Sequence, residues 1–196
     1  MDLPFLIADD DSVFMWDLTC HFSQEKCLKS QSIRTSQQLR VALSSQQFSG
    51  LILEPNLPGG TWWSNMEIVR SRGLSHRTVV VTSYESAALV RRAQTLGVRA
   101  IIVKPVGAPS VVSALLDDDW QSPSRSSHVD QSLAGVEWEY LNRAILSANG
   151  KIAQAARLLG IPRQTLYRKL RKLPRKEHAP APPLSVIEIE ESACRK

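Results

Sequence analysis

The run TVVVTSYESAALVRRAQTLGVRAIIVKP, from Thr78 to Pro105, sets the fold class of the N-terminal half of the chain. It predicts a buried strand over Thr78–Thr82, a helix over Ser86–Leu96 that Gly97 ends, and a second buried strand over Ala100–Val103. Consecutive parallel strands need a long crossover, which is usually a helix. The run therefore predicts one unit of an α/β doubly wound parallel sheet.

The same alternation extends toward the N-terminus. Apolar runs predict strands at Leu3–Ala8, Leu51–Leu53 and, more weakly, Cys27–Ile33, with helices at Val13–Phe22, Ser36–Ser44 and Met66–Arg72. We expect these elements to form one α/β domain over residues 1–117.

Polar side chains follow the predicted strands. Asp9 and Asp10 come after the first strand, Glu54 after the third, Thr82 ends the fourth, and Lys104 follows the fifth. Functional groups collect at the carboxyl ends of strands in parallel sheets. One such residue is unremarkable, but together they predict a shared pocket.

These residues and their spacing resemble the receiver domain of bacterial response regulators, over roughly residues 3 to 116. The resemblance implies a flavodoxin-like strand order and a magnesium ion on the acidic pair, here Asp9 and Asp10. Asp11 would replace Asp9 if the register slipped by one. In that family Thr82 and Lys104 would hold the oxygens of a phosphoryl group carried by an aspartate after the third strand.

The acceptor position departs from the family, because LILEPNLPGG places Glu54 there. The added methylene displaces the carboxylate by about 1 Å, which is enough to disrupt in-line phosphoryl transfer. We expect no ordinary phosphorylation at Glu54, and hence a pseudo-receiver. Two interpretations stay open: Glu54 pairs permanently with Lys104 and imitates the phosphorylated state, or the pocket is vestigial. Ser83 and Ile101 also depart from the family, which has a small residue and an aromatic there.

The C-terminal part has a different composition. Residues 118–134 are predicted to be a linker, residues 135–176 a small all-α helix-turn-helix domain, and residues 177–196 a disordered tail. Helices are expected at Val136–Ala148, at Ile152–Leu159, and from Pro162 to about Leu173. Ala156 is the small residue and Gly160 the turn that a helix-turn-helix requires.

The third of these helices has a basic, polar face. Between Lys151 and Lys176 the chain has nine basic residues and no acidic one, which indicates a polyanionic partner. Residues at the start of a recognition helix reach base edges, so Arg163 and Gln164 are the first candidates for base readout. The full candidate DNA-binding set is Lys151, Arg163, Gln164, Thr165, Tyr167, Arg168, Lys169, Arg171 and Lys172, of which the lysines are expected to contact phosphates.

The segment AQAARLLGIPRQTLYRKL, from Ala153 to Leu170, resembles the Fis-type helix-turn-helix. With VEWEYLNR upstream, the chain resembles the RegA/PrrA/ActR group of two-component response regulators. That resemblance implies a homodimer on double-stranded DNA, a sensor kinase as partner and a role in redox-dependent transcription. Ala153 departs from it, since a helix-capping serine is common there.

Other classes of function fit less well. The alternative is an interaction protein that heterodimerises with an intact response regulator. It ranks second, because the predicted recognition helix of this chain is not visibly degraded. An enzyme is rejected because no nucleophile–base pair or phosphate loop is apparent. No cofactor is expected apart from the magnesium ion. Without a bilayer-length apolar run or a signal peptide, the predicted compartment is the cytoplasm.

Three further expectations concern single side chains. Cys20 and Cys27 are expected to be buried thiols. Trp138 is expected in the core. Of Trp62 and Trp63, at least one is expected to pack under the following helix, with an interface patch as the alternative.

Overall fold

The structure, a computed structural model, describes residues 3–24, 26–117, 120 and 133–171. Its N-terminal half is a five-stranded parallel sheet in the order β2-β1-β3-β4-β5. The strands are β1 (Phe5–Ala8), β2 (Ser30–Ile33), β3 (Gly50–Leu53), β4 (Thr78–Thr82) and β5 (Ala100–Val103). The helices are α1 (Ser12–Gln24), α2 (Ser36–Ser45), α3 (Trp62–Ser71), α4 (Ala87–Leu96) and α5 (Ala108–Leu116), with a 3-10 turn at Ser75–Arg77. The predicted fold class and strand order are confirmed.

Helix α3 begins four residues before the predicted start at Met66. Thr61 caps it, accepting a hydrogen bond from the Ser64 N–H, while the Ser64 hydroxyl accepts one from the Thr61 N–H. This reciprocal capping satisfies two N–H groups that the first turn of a helix leaves without partners. Glu or Gln is usual at the third helical position of a capping box, so Ser64 is a weaker sequence signal for the start of a helix.

Each face of the sheet has its own apolar core. One core joins the strands to α1 and α5, and the buried face of α1 is Phe14, Met15, Leu18 and Phe22. Val13 and Trp16, two apolar residues of the same helix, are 76% and 69% exposed. A helical stripe is only about 100° wide, so the apolar pattern of α1 includes two positions that the sheet does not cover.

The second core continues from the sheet into the C-terminal helices. These are α6 (Leu133–Ser147), α7 (Ile152–Leu158) and α8 (Arg163–Leu170). Leu141, Ile145 and Ala156 belong to the same buried cluster as Trp63 and Leu89 of the sheet domain. The helix-turn-helix is therefore packed directly on the α3–α4 side of the sheet.

The domain limits stay predictions. Helix α5 ends at Leu116 and α6 begins at Leu133, so the described helix starts inside the last two residues of the proposed linker. The rest of that linker, except residue 120, and the proposed tail lie outside the described residues. No helix in the described parts of the chain is both long and apolar enough to cross a membrane.

Candidate functional site

Four of the predicted pocket residues meet at the carboxyl edge of the sheet. Asp9 follows β1 and Glu54 follows β3, where its N–H extends the ladder by donating to Ala8 O at 2.8 Å. Thr82 ends β4, and the Lys104 N–H donates to its carbonyl at 2.9 Å. Asp9 and Thr82 are fully buried and Glu54 is 3% exposed. These continued backbone ladders place the four side chains beside one another.

Lys104 binds Asp9 in this pocket. Its ammonium lies 2.7 Å from Asp9 Oδ2 and 4.4 Å from the centre of the Phe14 ring. Within the described residues no hydrogen bond joins Lys104 to Glu54. Of the two open interpretations, the permanent Glu54–Lys104 pair is wrong, because Lys104 is paired with the buried Asp9 carboxylate instead.

Glu54 accepts hydrogen bonds from the loop that follows β4 and from the loop that follows its own strand, β3. Its Oε2 accepts a hydrogen bond from the Ser83 N–H at 3.0 Å. Its Oε1 accepts from the Asn56 N–H at 3.0 Å and lies 3.3 Å from the Thr82 hydroxyl. Glu54 thus engages both the Thr82 hydroxyl and the adjacent Ser83 N–H.

Burial dominates the electrostatics of the pocket. Burial raises the pKa of Glu54 to about 7, against the opposing effect of the Asn56 and Ser83 N–H groups. Burial also raises the pKa of Asp9, although the Lys104 ammonium acts in the other direction. Desolvation penalises a charged carboxylate, so both side chains hold their protons more tightly than exposed acids do.

The three aspartates after β1 lie in three different environments. Asp9 Oδ1 accepts from the Asp11 N–H at 2.9 Å. Asp11 Oδ1 accepts from the Val13 and Phe14 N–H groups and caps α1. Asp10 is exposed. The register is therefore the one in which Asp9, not Asp11, enters the pocket.

The magnesium site at Asp9 and Asp10 stays a prediction, and the present arrangement does not fit the ion. Both oxygens of Asp9 are taken by protein donors, whereas magnesium needs free carboxylate oxygens. Among the described residues no group of three or more His, Cys, Asp or Glu side chains could hold a metal.

The C-terminal helices have the geometry that a helix-turn-helix needs. Ala156 is 3% exposed and lies inside α7. Gly160 has φ of +64° at the turn, a conformation that glycine adopts without strain. Leu166 is fully buried and anchors α8 against the other helices.

Helix α8, the predicted recognition helix, exposes some of the predicted polar side chains and half-buries others. Arg163, Gln164, Arg168 and, after the helix, Arg171 are exposed, as is Lys151 at the start of α7, while Thr165, Tyr167 and Lys169 are half-buried. Lys169 pairs with Glu137 of α6. Arg163 donates to the Tyr167 hydroxyl at 3.3 Å, with its guanidinium 5.5 Å from the ring centre. Lys172 lies outside the described residues.

The interface between the two domains was not predicted as such. Tyr84 donates a hydrogen bond to Gly135 O at 3.0 Å, and its ring meets Trp138 edge-on at 5.9 Å. Trp63, 9% exposed, contacts Gly150, and the Arg92 guanidinium lies 4.4 Å from its ring centre. Both tryptophans at 62–63 are buried and Trp138 is in the core, as expected. The paired aromatics were the available signal, but a single sequence does not say what they face.

The cysteine prediction does not hold. Cys20 is half-buried and Cys27 exposed. Cys27 follows α1 with φ of +52° in a surface turn, outside the strand β2 in which it was expected to lie.

Comparison with known proteins agrees with this two-part architecture. Residues 132–173 match the bacterial regulatory proteins of the Fis family. The photosynthetic apparatus regulatory protein RegA of Rhodovulum sulfidophilum is 26% identical, covering 87% of this chain and 92% of the relative. The acid tolerance regulatory protein ActR of Rhizobium meliloti is 23% identical, covering 87% of each chain.

Solved structures show the same fold. A response regulator of Burkholderia pseudomallei superposes with a TM-score of 0.52 at 22% identity, over 89% of this chain and all of that one. A CheY-like receiver domain of Methanospirillum hungatei gives 0.52 at 18% identity, over 58% of this chain and 90% of that one. The chain therefore combines a receiver-like α/β fold with a segment that matches the Fis family, and it is similar over most of its length to the regulatory proteins RegA and ActR.

Proposed function

We propose that this response-regulator-type protein binds its operator DNA as a homodimer and regulates transcription without phosphorylation at position 54. The observation that carries the proposal is the occupied pocket. Glu54 already accepts the Ser83 N–H and lies against the Thr82 hydroxyl. A carboxylate that satisfies these donors does the work that the resemblance assigns to a phosphoryl group.

The exposed face of α8 supports DNA binding in the arrangement described. Arg163, Gln164 and Arg168 are exposed although α6 packs against α4. Docking of the helix-turn-helix on the sheet domain therefore leaves the base-reading side chains accessible. Arginine can grip guanine and glutamine adenine through two hydrogen bonds each, which provides sequence discrimination.

An apolar stripe on α6 supports the homodimer. Leu133, Val136 and Tyr140 are 87%, 54% and 61% exposed, and their spacing places them on one side of the helix. A two-fold dimer would bury this stripe against its own copy and match a palindromic operator.

The test is DNA binding by the untreated protein at fixed salt, beside Glu54→Gln and Glu54→Asp, with and without acetyl phosphate. Operator fragments selected from the source genome and scrambled duplexes of equal length serve as ligands. We expect the untreated protein to bind selected DNA tightly and to ignore acetyl phosphate. Glu54→Gln should bind more weakly, because an amide nitrogen cannot accept a hydrogen bond from the Ser83 or Asn56 N–H.

Two outcomes would contradict the proposal. Specific binding by wild type that appears only after acetyl phosphate, and is absent in Glu54→Gln, would mean that DNA binding requires phosphorylation at position 54. Weak, salt-sensitive binding that is indifferent to Glu54 would favour the alternative, a protein that modulates an intact response regulator. Mixing the chain with such a regulator would then be the next experiment.

A further inference from the structure

Tyr84 connects the loop held by Glu54 to the DNA-binding helices. It lies one residue after Ser83, whose N–H binds Glu54 Oε2. Tyr84 is 5% exposed, although it belongs to a loop between β4 and α4. Its hydroxyl donates to Gly135 O at 3.0 Å, in the first turn of α6.

The segment Thr82–Tyr84 is held as one piece. The Thr82 hydroxyl lies 3.3 Å from Glu54 Oε1 and 3.1 Å from Tyr84 O. The Tyr84 N–H also points to this hydroxyl, at 3.3 Å. A change in the hydrogen bonds of Glu54 must therefore change the position of a segment whose other end is bonded to α6.

Two other contacts between the domains start farther from Glu54. Glu139 of α6 accepts from the Ala87 N–H at 3.1 Å, at the start of α4, and Trp63 contacts Gly150 from within α3. Neither Ala87 nor Trp63 lies within two residues of a donor to Glu54. Of these three contacts, the one made by Tyr84 has the shortest covalent and hydrogen-bonded connection to Glu54.

We infer that Tyr84 is the positioning residue through which the Glu54 pocket sets the orientation of α6 and, with it, of the recognition helix. This inference rests on the proposed function, since it explains how a buried glutamate would affect DNA affinity. Tyr84 contacts no DNA. It holds the helix-turn-helix in the orientation that Glu54 fixes, and α8 keeps its DNA-facing side free in that orientation.

The test is a double-mutant cycle on DNA affinity with wild type, Glu54→Gln, Tyr84→Phe and the double variant. Tyr84→Phe keeps the edge-on contact with Trp138 and removes only the hydroxyl. Loss of one hydrogen bond corresponds to about a fivefold loss of affinity. If Tyr84 carries the effect of Glu54, the double variant should bind no more weakly than the weaker single variant. Ser44→Ala, which removes an exposed hydroxyl that donates to Val41 O within α2, is the matched control and should leave affinity unchanged.

A second measurement does not need DNA. Amide hydrogen exchange of residues 133–139 should increase to a similar extent in Glu54→Gln, Tyr84→Phe and the double variant, while Ser44→Ala matches wild type. A merely structural role for Tyr84 would lower stability in Tyr84→Phe but leave exchange in Glu54→Gln at the wild-type rate.

The outcomes separate the two proposals. The role of Tyr84 would be overturned if the fold losses of DNA affinity in the two single variants multiplied in the double variant. It would also be overturned if amide exchange in α6 were the same in Glu54→Gln as in wild type. In both cases the proposal of DNA binding would stand. Absence of specific DNA binding would overturn the proposed function, and the exchange data would still decide whether Tyr84 links the pocket to α6.

Discussion

Glu54 is a buried acid whose protonation is linked to folding. Its pKa is about 7 in the folded chain against an ordinary value of 4.5, so the folded state binds the proton more tightly than the unfolded state. The stabilisation that this provides is complete below about pH 4.5 and is lost as the pH rises through about 7.

We therefore expect wild type to lose stability relative to Glu54→Gln between pH 5 and pH 8. The difference is up to about 3 kcal/mol, from the pKa shift and 1.36 kcal/mol for each pH unit. Denaturant unfolding of both proteins at the two pH values measures it. A constant difference in the free energy of unfolding across this range would show that Glu54 is not buried as described.

Within the helix-turn-helix, Arg163 at the start of α8 and Lys151 at the start of α7 should behave differently when replaced. Arg163→Ala should reduce the binding free energy for the preferred operator by about 1–3 kcal/mol and relax discrimination at one base pair, because it removes a proposed base contact. Lys151→Ala should weaken binding to all duplexes alike and lower the salt dependence of the affinity, because it removes a proposed phosphate contact. Binding isotherms on operator and single-base variants at several salt concentrations give both quantities.

Arg91→Ala is the matched control, since Arg91 is an exposed arginine of α4. Arg91→Ala should change neither the discrimination between operator variants nor the salt dependence of binding. If Arg163→Ala leaves affinity and discrimination intact, α8 does not read bases through its first residue.

Among the elements, the turn after α6 depends most on one residue. Gly150 has φ of +76°, and a side-chain carbon there would overlap the Trp63 indole. The turn brings the end of α6 against α3, so that backbone meets an aromatic ring directly. Only glycine permits both the conformation and the close approach.

Gly150→Ala should destabilise the folded chain more than Gly73→Ala does. Gly73 also has positive φ, at +68°, but has no atom within 4 Å of an added carbon. Both variants incur the strain of a left-handed residue, about 1–3 kcal/mol. The overlap with Trp63 adds about 1–3 kcal/mol more at Gly150. Denaturant unfolding of the two variants measures the difference, and equal losses would mean that α3 and the α6 turn are not in contact.

At the scale of the whole molecule, one hydrophobic cluster runs from the sheet through α3 and α4 into α6, α7 and α8. The two domains share this core, so their relative orientation is set by apolar packing as well as by the Tyr84 and Glu139 hydrogen bonds. The face of α6 opposite that core carries Leu133, Val136 and Tyr140, exposed to solvent.

Val136→Glu should therefore shift the protein toward the monomer. A charge placed in an apolar interface must be buried without a partner, which is unfavourable. Val41→Glu is the control, because Val41 of α2 is also 54% exposed but lies on another face. Sedimentation across a concentration series measures the monomer–dimer equilibrium. A dimer that survives Val136→Glu, or is lost equally in Val41→Glu, would place the interface elsewhere.

The amino-acid sequence by itself determined the elements and most of the two candidate sites. Period-two and buried apolar runs located β3, β4 and β5 within a residue, and Ala156, Gly160 and Leu166 identified the helix-turn-helix. Asp9, Glu54, Thr82 and Lys104 were found because the ends of parallel strands lie together in any sheet of this kind. These signals are local, or follow from a topology with few alternatives.

The tertiary structure alone decided which partners those residues take. Lys104 binds Asp9 rather than Glu54, because distances of an ångström or two between side chains from three strands decide the pairing. Val13 and Trp16 are exposed, since the width of the covered stripe depends on what packs against α1. Tyr84, Trp63 and Gly150 meet across an interface between segments more than fifty residues apart in the sequence. Such contacts depend on how two domains pack, and no periodicity within either segment encodes that packing.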